Sequence, residues 1–275
     1  MGIVLKFYFA TCSVYDITPI KNLRYKNILS SFFYYKKGDF REYYQANKHL
    51  YDNFFMDSGA FSFNNLDVEI DIDEYIDCIK EDKIDHYSAL DVIGDPKATY
   101  ENYLYMKLKG LDPVPCFHIN TNIDFLDFYL EECDKLAIGG MVQAQNIHSN
   151  LKKIWSKILN KDRKIQVHGF GISNPKVAIA YPWHSIDSSS YCAITKFARA
   201  SEWNHDHFDS FDTFDLLDKW KICTLKQEEK GKTVGGLECF LLYWQMEQYN
   251  QMVDYVNDQQ KNRSFSYLTA QMSMF

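Results

Sequence analysis

KLAIGGMVQAQNIHSNLKKIWSKILNKDRKIQVHGFG (135–171) is the stretch on which the fold turns. Two short apolar runs, KLAIGG (135–140) and KIQVHGFG (164–171), flank NIHSNLKKIWSKILN (146–160). In that middle segment Ile147, Leu151, Ile154 and Ile158 recur at helical spacing, opposite the lysines. An apolar run, an amphipathic helix and a second apolar run make a strand–helix–strand unit with parallel strands. The unit repeats outward in both directions. IVLKFYFA (3–10), NFFMD (53–57), HYSALDV (86–92) and PVPCFHI (113–119) read as buried strands before it, and HSID (184–187) after it. In DIDEYIDCIKED (71–82) Asp71 is placed to cap a helix whose apolar face is Ile72, Tyr75, Ile76 and Ile79. In DFLDFYLEECDK (124–135) the corresponding face is Phe125, Phe128 and Tyr129.

Seven such runs predict an α/β fold, a closed (β/α)8 TIM-like barrel rather than an open sheet, with the eighth strand near KFARASEW (196–203). No glycine-rich loop follows the first strand, which excludes a Rossmann or P-loop phosphate site. After residue 203 the alternation stops. Segments 214–225 and 237–258 read as helices, broken at Gly235 and Gly236. The expected organisation is a catalytic barrel over 1–203 and a helical extension over 204–275 packed on it.

The chain has 275 residues, 46% of them hydrophobic, and its 20 Phe and 20 Tyr exclude a disordered chain. No apolar run approaches the roughly 20 residues of a membrane span, so no membrane partner is expected. The opening MGIVLKFYFATCSVYD has one Lys and no small-residue cleavage site, unlike a signal peptide. Seven cysteines without a CxxC pair read as reduced thiols of a cytoplasmic protein. Cys116 reads as a small apolar filler. His205-Asp206-His207, in a polar stretch, reads as an exposed loop, so neither a metal nor a cofactor is expected.

The net charge of −7 argues against nucleic acid, but its distribution does not. Residues 51–134 sum to −15 and residues 135–199 to +8. Lys152, Lys153, Lys157, Lys161, Arg163, Lys164, Lys196 and Arg199 therefore offer a basic face, and phosphates respond to the local field rather than the total.

Reactive groups of a parallel barrel sit at the C-terminal ends of its strands. There the sequence carries Asp57-Ser58-Gly59-Ala60-Phe61, Ala89-Leu90-Asp91, Cys116-Phe117-His118, Gly139-Gly140-Met141, His168-Gly169-Phe170-Gly171 and Ile186-Asp187-Ser188-Ser189-Ser190. One Asp after an apolar run is ordinarily a helix cap; six reactive or small strand ends in order are not explained by capping.

DSGAF, ALD, IGG, HGFG and SIDSSS occur in the order and spacing of the tRNA-guanine transglycosylase superfamily. Over residues 53–203 the chain most resembles its phage-type DNA 7-deazaguanine transglycosylases. That family exchanges a guanine in a polynucleotide for a 7-deazaguanine without breaking the backbone. The resemblance implies that Asp187 is the nucleophile on the sugar C1′ and that Asp57 is the general acid/base at N9. It implies further that Asp91 reads the guanine-like edge, and that Ser58, His118, Gly139 and Gly140 complete the base pocket, with Gly169 giving the ring room. Lys196 and Arg199 would meet the polynucleotide. DNA and a free base such as preQ0 are the implied partners. The Cys-x-Cys-x-x-Cys and His zinc site of the tRNA enzymes is missing, since only Cys223 and Cys239 lie in that region. The competing readings are the same exchange on tRNA, a retaining glycoside hydrolase using Asp57 and Asp187, and a non-catalytic barrel that binds nucleic acid.

Overall fold

Seven parallel strands are hydrogen-bonded in the order β3-β2-β1-β7-β6-β5-β4. They are β1 (Lys6–Ala10), β2 (Asn27–Ser31), β3 (Asn53–Asp57), β4 (Cys116–His118), β5 (Lys135–Gly139), β6 (Gln166–Gly169) and β7 (Ser185–Ser188). The computed structural model describes residues 4–60, 70–141, 146–220, 237–261, 263 and 265. Residues 86–89 join the two ends of this row. The Met56 N–H donates to the His86 carbonyl at 2.9 Å and the Ser88 N–H to the Met56 carbonyl at 2.9 Å. On the far side the Ala89 N–H reaches the Val114 carbonyl at 2.8 Å and the Val114 N–H the Tyr87 carbonyl at 2.9 Å. Eight parallel stretches thus close a TIM-like (β/α)8 barrel.

The eighth stretch is β2, not the expected one at 196–203. NILSS carries three polar residues, yet all five are buried. The main chain satisfies two of them: Asn27 Nδ2 donates to the Phe7 carbonyl at 3.0 Å and Ser30 Oγ to the Thr11 carbonyl at 3.0 Å, while Ser31 Oγ has no partner among the described residues. The 196–203 segment leaves the barrel. Its residues form β8 (Arg199–Asn204), which pairs antiparallel with β9 (His207–Asp212) in a separate hairpin. His205, at a φ of 57°, turns the chain between them. This hairpin spans the position expected for the boundary between barrel and extension.

Two buried layers follow from strand alternation. Tyr8, Leu29, Phe55, Val114 and Ala137 fill the barrel interior, with Ala10 and Phe170 packed on them. Their neighbours Phe7, Phe9, Ile28, Met56, Phe117, Leu136, Ile138, Val167 and Ile186 face outward to the helices. The helix Ile72–Asp82 is capped as expected, Asp71 accepting from the N–H groups of Asp73 and Glu74, and buries Tyr75, Ile76 and Ile79. The helix Ile147–Leu159 buries Leu151, Ile154 and Ile158 with Trp155. The helix Phe125–Glu132 differs from expectation. It buries Leu126, Tyr129 and Leu130, an i, i+3, i+4 set, and leaves Phe128 at 48% exposure.

Of the expected helix at 214–225 the observed part is Thr213–Lys219, with Trp220 as its C-cap; residues 221–225, with Gly235 and Gly236, lie outside the described residues. The helix Leu237–Gln260 packs directly on the barrel wall. Asn257 Oδ1 accepts the Leu5 N–H at 2.7 Å, and the Tyr249 ring lies 5.5 Å from Phe7. Gln260 Nε2 donates to the carbonyls of Ala178 at 2.8 Å and Tyr181 at 3.1 Å. Among the described residues no helix is long and apolar enough to cross a membrane.

Candidate active site

Inward alternation carries the barrel's chemistry to one mouth. Asp57 lies two residues beyond inward Phe55, Gly139 two beyond Ala137, and Asp187 two beyond Ser185. Asp57 experiences the charges of both Asp91 and Asp187, so the three carboxylates predicted from the motifs share one site.

Asp187 is 5% exposed and held on one oxygen. Its Oδ1 accepts the Gly171 N–H at 3.0 Å and lies 3.2 Å from His168 Nε2. The other His168 nitrogen, Nδ1, is 2.8 Å from Ser185 Oγ, and Tyr8, Phe55 and Phe170 meet the imidazole edge-on. The ring is therefore fixed on all sides. Oδ2 of Asp187 has no hydrogen-bond partner among the described residues. His168 and Ser185 were not assigned from sequence, although His168 stands inside HGFG. The signal was parity: a polar inward residue on the strand beside Asp187 has nothing else to pair with.

Asp57 sits among groups that disfavour its charge. Burial, with repulsion from Asp91 and then Asp187, pushes its carboxyl up to about 7 against the opposing Gly59 N–H. That N–H reaches Oδ2 at 3.1 Å, while Ser88 Oγ lies 3.5 Å from Oδ1. Gly59 is needed there: its φ is 82°, and a Cβ would come within 3.3 Å of the Phe33 nitrogen.

Asp91 is the hub of a polar chain. Ser58 Oγ donates to its Oδ1 at 2.5 Å and His118 Nε2 lies 2.8 Å from its Oδ2. The Ser58 N–H in turn donates to Ser88 Oγ at 2.9 Å, joining the Asp57 and Asp91 ends. Side-chain exposures of 20% for His118 and 11% for Asp91 leave both reachable from the mouth. A Cβ on Gly139 would meet Cys116 Sγ at 3.2 Å and His118 Cδ2 at 3.4 Å, so the missing side chain keeps that wall open. Gly140 follows at a φ of 77°. Cys116 belongs to this corner rather than to general core filling. One ligand atom each from Asp91, Cys116 and His118 lie within 4.8 Å of one another, a set that could share a cation. Burial and the nearby Asp91 and Asp57 raise the Cys116 thiol, which keeps it protonated, and both Asp91 oxygens already have hydrogen-bond partners.

Gly169 does not face the mouth. A Cβ there would collide with Ile172 and come within 2.9 Å of Trp183 Cζ3, so the residue faces the outer layer between strands and helices. With His168 turned inward on the same strand, alternation sends Gly169 the other way.

The basic segment 135–199 is not one rim. Lys157 pairs with Asp127 at 2.6 Å on the outer helical layer and Arg163 with Asp134 at 3.3 Å. Lys135, at the start of β5, lines a cavity with Lys6, His86 and His184 at the opposite pole. Lys196 and Arg199 do lie on the mouth side, beyond the end of β7, and both are exposed. Lys196 Nζ is 3.1 Å from Cys12 Sγ, just past the end of β1.

No protein-family model and no curated protein matches the chain. Solved structures do match in shape. A putative fructose-1,6-biphosphate aldolase from Coccidioides immitis aligns at a TM-score of 0.53 and 8% identity, covering 93% of this chain and 91% of its own. A protein from Aquifex aeolicus VF5 aligns at 0.52 and 11% identity, covering 94% of each chain. At such identities the likeness concerns the barrel alone, and the chemistry has to be argued from the site.

Proposed function

We propose that the protein is a base-exchanging glycosyltransferase that replaces guanine in DNA with a 7-deazaguanine. The observation that carries the reading is the pairing of a carboxylate fixed through one oxygen with a second one poised near neutrality. Asp187 is held by one oxygen and free at the other, and Asp57 is raised to about 7 beside it. In the first step Asp187 Oδ2 bonds to the sugar C1′ as the C1′–N9 bond breaks, and Asp57 gives its proton to N9 of the departing guanine. In the second, N9 of the incoming base bonds to C1′, Asp187 leaves, and Asp57 recovers a proton from that nitrogen. An acid/base with a pKa near the working pH suits both transfers. The carboxylate adduct follows the logic of retaining glycosidases, with N9 of the incoming base in place of the water that resolves their glycosyl-enzyme.

Asp91 fits the guanine-like edge because a carboxylate accepts from two adjacent donors, N1–H and the exocyclic amine. Its oxygens retain lone pairs beyond those used by Ser58 and His118. The open walls at Gly139 and Gly140 let a flat ring approach.

The test is incorporation of labelled guanine and labelled preQ0 into single-stranded DNA, duplex DNA and tRNA in parallel, with wild type and Asp187→Ala. Incorporation into DNA by wild type, abolished in Asp187→Ala, is the expected result. Exchange into tRNA alone would move the substrate, and equal incorporation by both proteins would remove Asp187 from the reaction.

A further inference from the structure

Past Asp187 the chain builds a feature that the exchange chemistry leaves unused. Beyond β7 a cleft of about 500 Å³ opens, lined by Ser189, Ser190, Lys196, Phe197, Arg199 and Tyr249 of the C-terminal helix. Phe197 is 78% exposed, where most described aromatic rings are buried or half-buried. The backbone holds it there. Ala198 adopts a left-handed φ of 50°, and its carbonyl accepts the Thr213 N–H at 2.8 Å, so the kink is tied to the following helix. Arg199 comes next, and its guanidinium has no ion pair with any described residue. An exposed ring flanked in sequence by two cations, in a cleft whose lining begins two residues after Asp187, matches the chemistry of a nucleotide. A π-face stacks on any base, and cations on either side meet its phosphates.

We propose that this cleft binds the nucleotide adjacent to the target guanine as a single strand, its base stacked on Phe197 and its phosphate between Lys196 and Arg199. The inference rests on the base-exchange reading for its polymer. A guanine that enters the barrel mouth leaves the stack, and its neighbour loses a partner. Phe197 supplies the replacement surface, which would favour unpaired or opened DNA.

The test uses a DNA oligonucleotide carrying 2-aminopurine beside the target guanine, titrated without any incoming base. Wild type is compared with Phe197→Ala and Phe197→Trp, each checked for an unchanged melting temperature. Wild type and Phe197→Trp should quench the fluorophore. Phe197→Ala should not, and should bind the single strand on the order of 10-fold more weakly. Affinity for free preQ0 should be the same in all three. Unchanged quenching and affinity in Phe197→Ala overturns the proposal. So does a changed sedimentation coefficient in Phe197→Ala at unchanged DNA affinity, which would assign the ring to a contact between copies. The readout needs no turnover, so the two readings separate. Quenching without base exchange would refute the exchange chemistry and uphold the cleft; exchange without quenching would do the reverse.

Discussion

At the residue scale Asp57 couples chemistry to stability. Its folded-state pKa of about 7 lies above the usual 3.8, so folding favours its protonated form. Stability from this group is full at low pH and is lost as pH rises from about 4 through about 7. Asp57→Asn keeps the shape and removes the charge. It should therefore melt higher than wild type at pH 8, by at most about 4 kcal/mol at 1.36 kcal/mol per unit, and gain nothing at pH 4. Calorimetry of both proteins across that range checks the sign; an equal or lower melting temperature for Asp57→Asn at pH 8 would show that the carboxylate is not strained. Asp91→Ala should weaken free-base binding on the order of 10- to 100-fold, since a buried hydrogen bond to a charged group contributes roughly 1.5–3 kcal/mol. Unchanged preQ0 affinity by calorimetry would place Asp91 away from the base. The motifs made these carboxylates legible because each follows an apolar run directly. Gly169 was misread for an equally local reason: a glycine has no side chain to announce its face, and only the alternation set by His168 and Phe170 does so.

Elements were legible wherever apolar residues marked a face. The runs at β1, β3 and β4 to β7 match their strands, and Asp71 caps its helix. β2 was not, because Asn27, Ser30 and Ser31 look like a loop until the main-chain partners of Asn27 and Ser30 are in place. The reverse happened at 196–203, which was read as the eighth strand of the barrel and instead pairs with β9. The C-terminal helix was legible as a helix, while its seat on the barrel and its outer helices also draws on polar residues. Gln260 illustrates this. It is 5% exposed and bonds the carbonyls that end the helix Pro175–Ala180 and follow it. Gln260→Ala should take a donor from the Ala178 carbonyl, Tyr181 keeping the Trp183 N–H at 2.9 Å, and cost about 1–3 kcal/mol. A thermal melt unchanged by this substitution would mean that the apolar face of the helix alone docks it.

For the whole molecule, the proposed reaction requires an acidic chain to meet a polyanion. Segment sums could not show that lysines near in sequence lie on different sides of a barrel. Lys135 goes to the pole away from the carboxylates, and Lys157 and Arg163 are paired on the outer layer. The field at the mouth comes instead from Lys196 and Arg199, against three carboxylates inside it. Polynucleotide affinity should then fall with salt by a small slope, about 0.7 in log K per neutralised phosphate on single strands. Lys196→Gln with Arg199→Gln should flatten that slope by roughly one to two units. Lys152→Gln with Lys153→Gln, on the outer helix, should leave it unaltered. Binding of free preQ0, which meets no phosphate, should not respond to either pair. Filter binding across a salt series distinguishes these outcomes. A slope flattened equally by both pairs would restore a broad basic rim, and a slope near zero in wild type would remove the polynucleotide from the reading.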